Sequence, residues 1–135
     1  MADRSDEYRP LLLDSQAFLW ALDDSDQLGA NVRAALQSGR PAWLSSATVW
    51  ELGIKTAIGR LALPVPLRAL VRRAVVDGGV RVLDVTPEHA LRASELPMNH
   101  KDPFDRMLIA QAMTERMTLA TRDAKVEGYD VATLW

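Results

Sequence analysis

Carboxylates stand at several places in this chain where solubility alone does not call for them. Asp14 closes a run of three leucines, Leu11-Leu12-Leu13. Glu51 sits in apolar surroundings, between Val49-Trp50 and Leu52-Gly53-Ile54. Asp102 and Asp105 flank Pro103-Phe104, and Asp123 ends Thr121-Arg122-Asp123. Each has an ordinary reading. Asp14 suits a helix N-cap, as does Asp102 before Pro103, and Asp105 three residues on resembles the second half of a capping box. Glu51 stands four residues before Lys55, the favourable order for a helical ion pair. Asp123 reads as a turn residue. Together they read differently. If the fold gathers Asp14, Glu51, Asp105 and Asp123, their charges repel, and they either take up protons or bind cations. Hard divalent cations answer such a set: Mg²⁺, which takes a few carboxylates and keeps several waters, or Mn²⁺. Zinc is disfavoured, because His89 and His100 lack ligand-spaced partners. His100, beside Lys101 and Asp102, reads as a loop or helix-start hydrogen bonder.

The elements that must position these acids follow from pattern. Leu11–Leu13 suits a strand buried on both faces. Residues 16–22 turn helical, and a second helix is expected over Gln27–Gln37, ended by Gly39 and Pro41. Ala42–Leu44 is a second short strand, with Ser45 or Ser46 capping a helix from Ala47 to about Ile58. A helix over Leu67–Val76 stops at Gly78-Gly79. Val80–Val85 alternates like a strand, and Thr86-Pro87-Glu88 opens a helix with proline at its first position. A long helix is expected over Pro103–Met117, a strand over Thr118–Thr121, and a last strand at Val131-Ala132. Short apolar strands alternating with helices predict an α/β sandwich, a parallel sheet flanked by helices. Ligands of such sheets bind outside the carboxyl ends of the strands, which is where these acids fall.

Composition bounds the rest. With 135 residues, 16 basic and 18 acidic side chains and no cysteine, the chain fits one domain of formal charge −2. Missing cysteine excludes disulfide scaffolds, thiol nucleophiles, iron–sulfur clusters and zinc fingers. No stretch approaches ~18 uncharged apolar residues, so no membrane span is expected. The polar start, MADRSDEYR, lacks an apolar core, so a signal peptide is not expected and the cytoplasm is the expected compartment. Residues 1–9 read as a polar N-terminal extension and residues 10–135 as the domain.

Four segments resemble PIN-domain proteins, specifically the VapC-type ribonuclease toxins of bacterial toxin–antitoxin pairs. They are Leu11 to Trp20 (LLLDSQAFLW), Ser45 to Lys55 (SSATVWELGIK), His100 to Ala112 (HKDPFDRMLIAQA) and Leu119 to Asp123 (LATRD). They occur in the family's order from about Leu11 to the C-terminus. The resemblance implies a PIN-like three-layer sandwich and a Mg²⁺- or Mn²⁺-dependent endoribonuclease. Carried over position by position, Asp14, Glu51, Asp105 and Asp123 match the family's acidic quartet. Asp14 and Asp105 are then the foremost metal ligands, Glu51 holds or orients the metal and its water, and Asp123 acts directly or through water. Asp102, Ser15 and Thr121 lie beside the quartet as supporting groups.

The implied reaction is hydrolysis of an RNA phosphodiester by a metal-activated water, with no protein nucleophile. Lysine and arginine must hold the RNA backbone. Arg106, Arg122 and Lys55 are the expected contacts, each adjoining or following a site acid; Arg60, Arg68, Arg72 and Arg73 are further candidates. Trp20 and Trp50 read as core or dimer-interface residues. The resemblance also implies a cognate antitoxin whose C-terminal segment blocks the acidic cleft, and a homodimer. Two other readings stay open: a PIN fold that binds RNA or protein without catalysis, and an α/β phosphotransfer domain. Against the latter, Asp14 is followed by Ser15-Gln16 rather than completing Asp-x-Asp, and the late strand ends in Thr121-Arg122-Asp123 where a receiver needs lysine.

Overall fold

The computed structural model describes residues 8–135. Leu11–Leu13 (β1), Ala42–Ser45 (β2), Arg81–Leu83 (β3), Thr118–Ala120 (β4) and Thr133–Leu134 (β5) form one sheet in the order β3-β2-β1-β4-β5. Every pairing is parallel. Parallel neighbours need crossovers. These are supplied by Ser15–Leu22 (α1), Ala30–Gln37 (α2), Ser46–Ala57 (α3), Leu67–Val76 (α4), Pro87–Glu95 (α5) and Pro103–Glu115 (α6). The expected α/β sandwich is the observed fold. Most of the extension expected over residues 1–9 lies outside the described residues. Arg9 is tied to the domain, its carbonyl accepting from Arg40 Nε at 2.6 Å.

β1 sits at the centre because its three leucines leave no face for water; each is at most 1% exposed. Side chains alternate across a strand, so Leu12 packs with Leu96, Leu108 and Ile109 of the α5–α6 side. Leu11 and Leu13 point the other way, into Phe18, Val32, Leu52 and Ala74 of α1 to α4. Helices therefore cover both faces, giving three layers.

Some elements begin or end elsewhere than their patterns predict. α2 starts at Ala30 rather than Gln27, because Gly29 backs onto the end of the chain: a Cβ there would stand 2.4 Å from the Trp135 carbonyl carbon. The last strand is Thr133–Leu134 rather than Val131-Ala132. β3 is shorter than Val80–Val85: it is an edge strand, with Val82 and, beyond its end, Val85 partly exposed. Ser45 does cap α3, its Oγ accepting from the Ala47 N–H at 3.1 Å. The neighbouring Ser46 Oγ accepts from the Val85 N–H instead.

Hydrogen bonding continues one peptide past the strand ends. The Asp14 N–H donates to the Ala120 carbonyl and the Thr121 N–H to the Leu134 carbonyl, each at 3.1 Å. That extra step brings Asp14 and Thr121 together at the carboxyl edge of the sheet. Among the described residues, no helix is long and apolar enough to cross a membrane.

Candidate metal centre

Backbone caps aim the acids. Asp14 caps α1, Oδ1 accepting from the Ala17 N–H at 2.7 Å. Asp102 caps α6, Oδ1 accepting from the N–H groups of Phe104 and Asp105 at 2.9 and 3.2 Å. Asp123 caps the 3₁₀ turn Ala124–Gly128, Oδ1 accepting from the Lys125 N–H at 3.0 Å. In each, capping engages Oδ1. The capping box expected of Asp105 is not formed. Its carboxylate meets His100 Nε2 at 3.1 Å rather than turning back to the N-cap. The box in this chain lies at Thr86 and His89, which exchange hydrogen bonds at the start of α5. Glu51 is buried on α3, and the expected pair with Lys55 forms, Nζ lying 3.3 Å from Oε2.

Asp14, Ser15, Gln16, Glu51, Lys55, Asp102, Asp105, Arg122 and Asp123 line one polar cleft of about 440 Å³. Its acids outnumber its two cations, Lys55 and Arg122. The imbalance appears in the acids' proton affinity. Burial pushes the Asp105 carboxyl up to about 6, helped by the charges of Asp102, Glu51 and Asp123. Burial also raises Asp14, against hydrogen bonds from Ala17 and Thr121. Asp123 goes the other way. Its modest burial is outweighed by the hydrogen bonds from the Lys125 N–H and His100, so it is lowered. A site that holds carboxylates above their ordinary range lacks positive charge. His100, Asp105 and Asp123 each offer an atom within 4.8 Å of the others.

A family model described as "PIN domain" matches residues 11–132. This chain belongs to the PIN-domain family. The PIN domain is also similar to the ribonuclease VapC22 of Mycobacterium tuberculosis, 24% identical over 120 residues that cover 88% of this chain and 91% of that protein. Solved structures with the same fold include VapBC2 from Rickettsia felis bound to a promoter DNA fragment (TM-score 0.67, 13% identity, 92% of this chain and 96% of that one). A toxin–antitoxin complex from Klebsiella pneumoniae is another (TM-score 0.63, 16% identity, 93% and 96%).

The fold gathers all four members of the expected quartet, with Asp102 and Ser15, into that one cleft. Thr121 is buried beside them; its Oγ1 accepts from the Asp123 N–H at 3.1 Å, and it hydrogen-bonds Asp14. Arg122 lines the cleft with its guanidinium 4.7 Å from the centroid of the Trp20 ring. Trp20 in turn lies 5.9 Å from Trp135. Trp50 is not core: it is 67% exposed, edge-on to Phe104.

Arg106 is a correction. Expected to hold RNA, it is buried and donates to the carbonyls of Ala93, Leu96, Pro97 and His100 at 2.8 to 3.2 Å. Its position one residue after Asp105 turns it away from the cleft, because side chains at i and i+1 on a helix do not share a face. His100 is the residue that sequence reasoning left outside the site. It is buried, and Nε2 lies 2.7 Å from Asp123 Oδ2.

Proposed function

We propose that this PIN domain is a metal-dependent endoribonuclease of the toxin type, held inactive by a cognate antitoxin. The observation that carries the reading is the carboxylate cleft at the carboxyl edge of the sheet, where Asp14, Glu51, Asp105 and Asp123 converge. The donor set fits a hard divalent cation. It is rich in carboxylate oxygen, and burial holds Asp14 and Asp105 above their ordinary range, so a cation relieves what protons otherwise relieve. Asp14 and Asp105 would bind Mg²⁺ or Mn²⁺, with Glu51 and Asp123 completing or orienting the set. When bound, the cation activates water and offsets charge building on the phosphate.

The chain's own groups account for the rest. Asp14 and Asp105 hold position through the sheet edge and the α6 cap. Lys55 and Arg122, at the cleft wall, meet phosphate oxygens of the RNA. Lys55 also screens Glu51. The similarity to a ribonuclease supports RNA as substrate, and the fold shared with a toxin–antitoxin complex supports an antitoxin partner. A homodimer and a cytoplasmic location belong to the same reading.

The test is cleavage of total RNA by the purified chain, with Mg²⁺, Mn²⁺ or EDTA. Metal-dependent cleavage that Asp14→Asn and Asp105→Asn abolish supports the reading. Equal cleavage by wild type and both variants overturns the assignment of the site. Binding of RNA without any cleavage replaces it with a non-catalytic PIN module.

A further inference from the structure

Resting on the metal reading above, we infer that His100 is a positioning residue whose Nε2–H holds Asp123 and stands against Asp105, so that both carboxylates are set for a cation before it arrives.

The tautomer follows from the ring's other nitrogen. Nδ1 lies 3.2 Å from the Asp102 backbone nitrogen, whose N–H can only donate. Nδ1 is therefore the acceptor and carries no proton, and a neutral ring then carries its proton on Nε2. Nε2 hydrogen-bonds Asp123 Oδ2 at 2.7 Å and lies 3.1 Å from Asp105 Oδ2. A protonated Nε2 that donates to Asp123 has no lone pair for a metal. The nitrogen and the two oxygens look like a ligand triad by distance alone. The Asp102 N–H makes them a brace instead.

The surrounding residues fix His100 at every other polar atom. Its backbone N–H donates to the Tyr129 hydroxyl at 2.8 Å, and that hydroxyl donates to the Pro97 carbonyl at 2.6 Å. Its carbonyl accepts from Arg106 Nη1 at 3.2 Å. The same guanidinium holds the carbonyls of Ala93, Leu96 and Pro97, so it clamps the whole turn between α5 and α6. The side chain is 5% exposed. Asp105 and Asp123 come from segments far apart in sequence, and His100 is the group that touches both. A carboxylate so braced loses less freedom on taking a cation, and outer partners of this kind are worth about 10- to 100-fold in metal affinity.

The experiment is Mn²⁺ titration of the whole chain by calorimetry, with wild type, His100→Ala and His100→Gln, and thermal unfolding of each in EDTA. The expected result is a dissociation constant raised about 10- to 100-fold in His100→Ala. His100→Gln, whose side-chain amide can still donate, recovers part of that loss. Equal Mn²⁺ affinity in wild type and His100→Ala overturns the brace while leaving the metal reading intact. Absence of any Mn²⁺ binding by wild type overturns both. Nitrogen NMR of the wild-type imidazole needs no variant to fold. A protonated Nε2 and bare Nδ1, unchanged on adding Mg²⁺, support the brace. A bare Nε2, or one shifted by direct coordination, overturns it in favour of a ligand.

Discussion

Asp105→Asn removes a negative charge that the metal-free cleft carries without a counter-ion. The carboxyl is held at about 6 rather than 3.8, chiefly by burial and by the charge of Asp102. A rise of that size corresponds to about 3 kcal/mol against the charged form. The Asp105 side chain is 31% exposed, so solvent screening reduces the figure to about 1–2 kcal/mol. The sign follows from proton binding. Between about pH 4 and pH 6 the folded chain holds this proton more tightly than the unfolded one, so stability falls as pH rises through that window. Above pH 6 the wild type bears the whole penalty, and the asparagine variant, which has no proton to lose, bears none. At an unfolding entropy of about 2.1 cal/mol/K per residue over 135 residues, the variant should melt about 4–7 °C above wild type at pH 7.5 in EDTA. The gap should close as the pH falls from about 6 towards 4. Mn²⁺ should raise the wild-type melting temperature and leave the variant unmoved. Circular dichroism melts at pH 7.5 and 4.5 measure all three. A variant that melts at or below wild type at pH 7.5, or a gap indifferent to pH, refutes the claim that Asp105 is a buried, unneutralised charge.

Asp14→Asn should abolish metal-dependent RNA cleavage with little change in melting temperature, because asparagine caps a helix as well as aspartate does; a large loss of stability would mean that the carboxylate's charge, not its capping oxygen, supports α1. Arg106→Ala should cost about 3 kcal/mol or more in urea unfolding, since it strands four carbonyls around a buried turn. A stable variant with weakened RNA binding would instead mark Arg106 as a contact for RNA. Arg122→Ala in an Asp14→Asn background should weaken RNA binding and lower the salt dependence of log K by ~1, measured by fluorescence anisotropy across a salt series; an unchanged slope would remove Arg122 from the phosphate contacts.

The sheet and the quartet were legible because they rest on short-range rules. Three consecutive leucines ending on an aspartate read as a central strand with a cap at its carboxyl end, and both readings are met in Leu11–Asp14. Asp102-Pro103 likewise marks the start of α6. What was not legible depends on contacts across the chain. The start of α2 is set by Trp135 pressing on Gly29, and no local pattern carries that information. Arg106 looked like a phosphate contact because it adjoins an acid, yet the end of α5 and the loop to His100 wrap its guanidinium. His100 was read as a hydrogen bonder of a helix start, which it is through the Asp102 N–H. Its second role needed Asp123, brought over from another strand end.

The double use of Asp14 and Asp123 has a consequence for how such a protein can be lost or disarmed. The side chain that caps a helix or turn is also the one that lines the cleft. Replacement by alanine or valine removes both, so the inactive product is also a weakened fold, open to proteolysis. Replacement by asparagine keeps the cap, so the inactive product persists at full abundance. A population of such chains would divide into two kinds of failure, one that disappears and one that lingers intact, still occupying whatever partner recognises the fold.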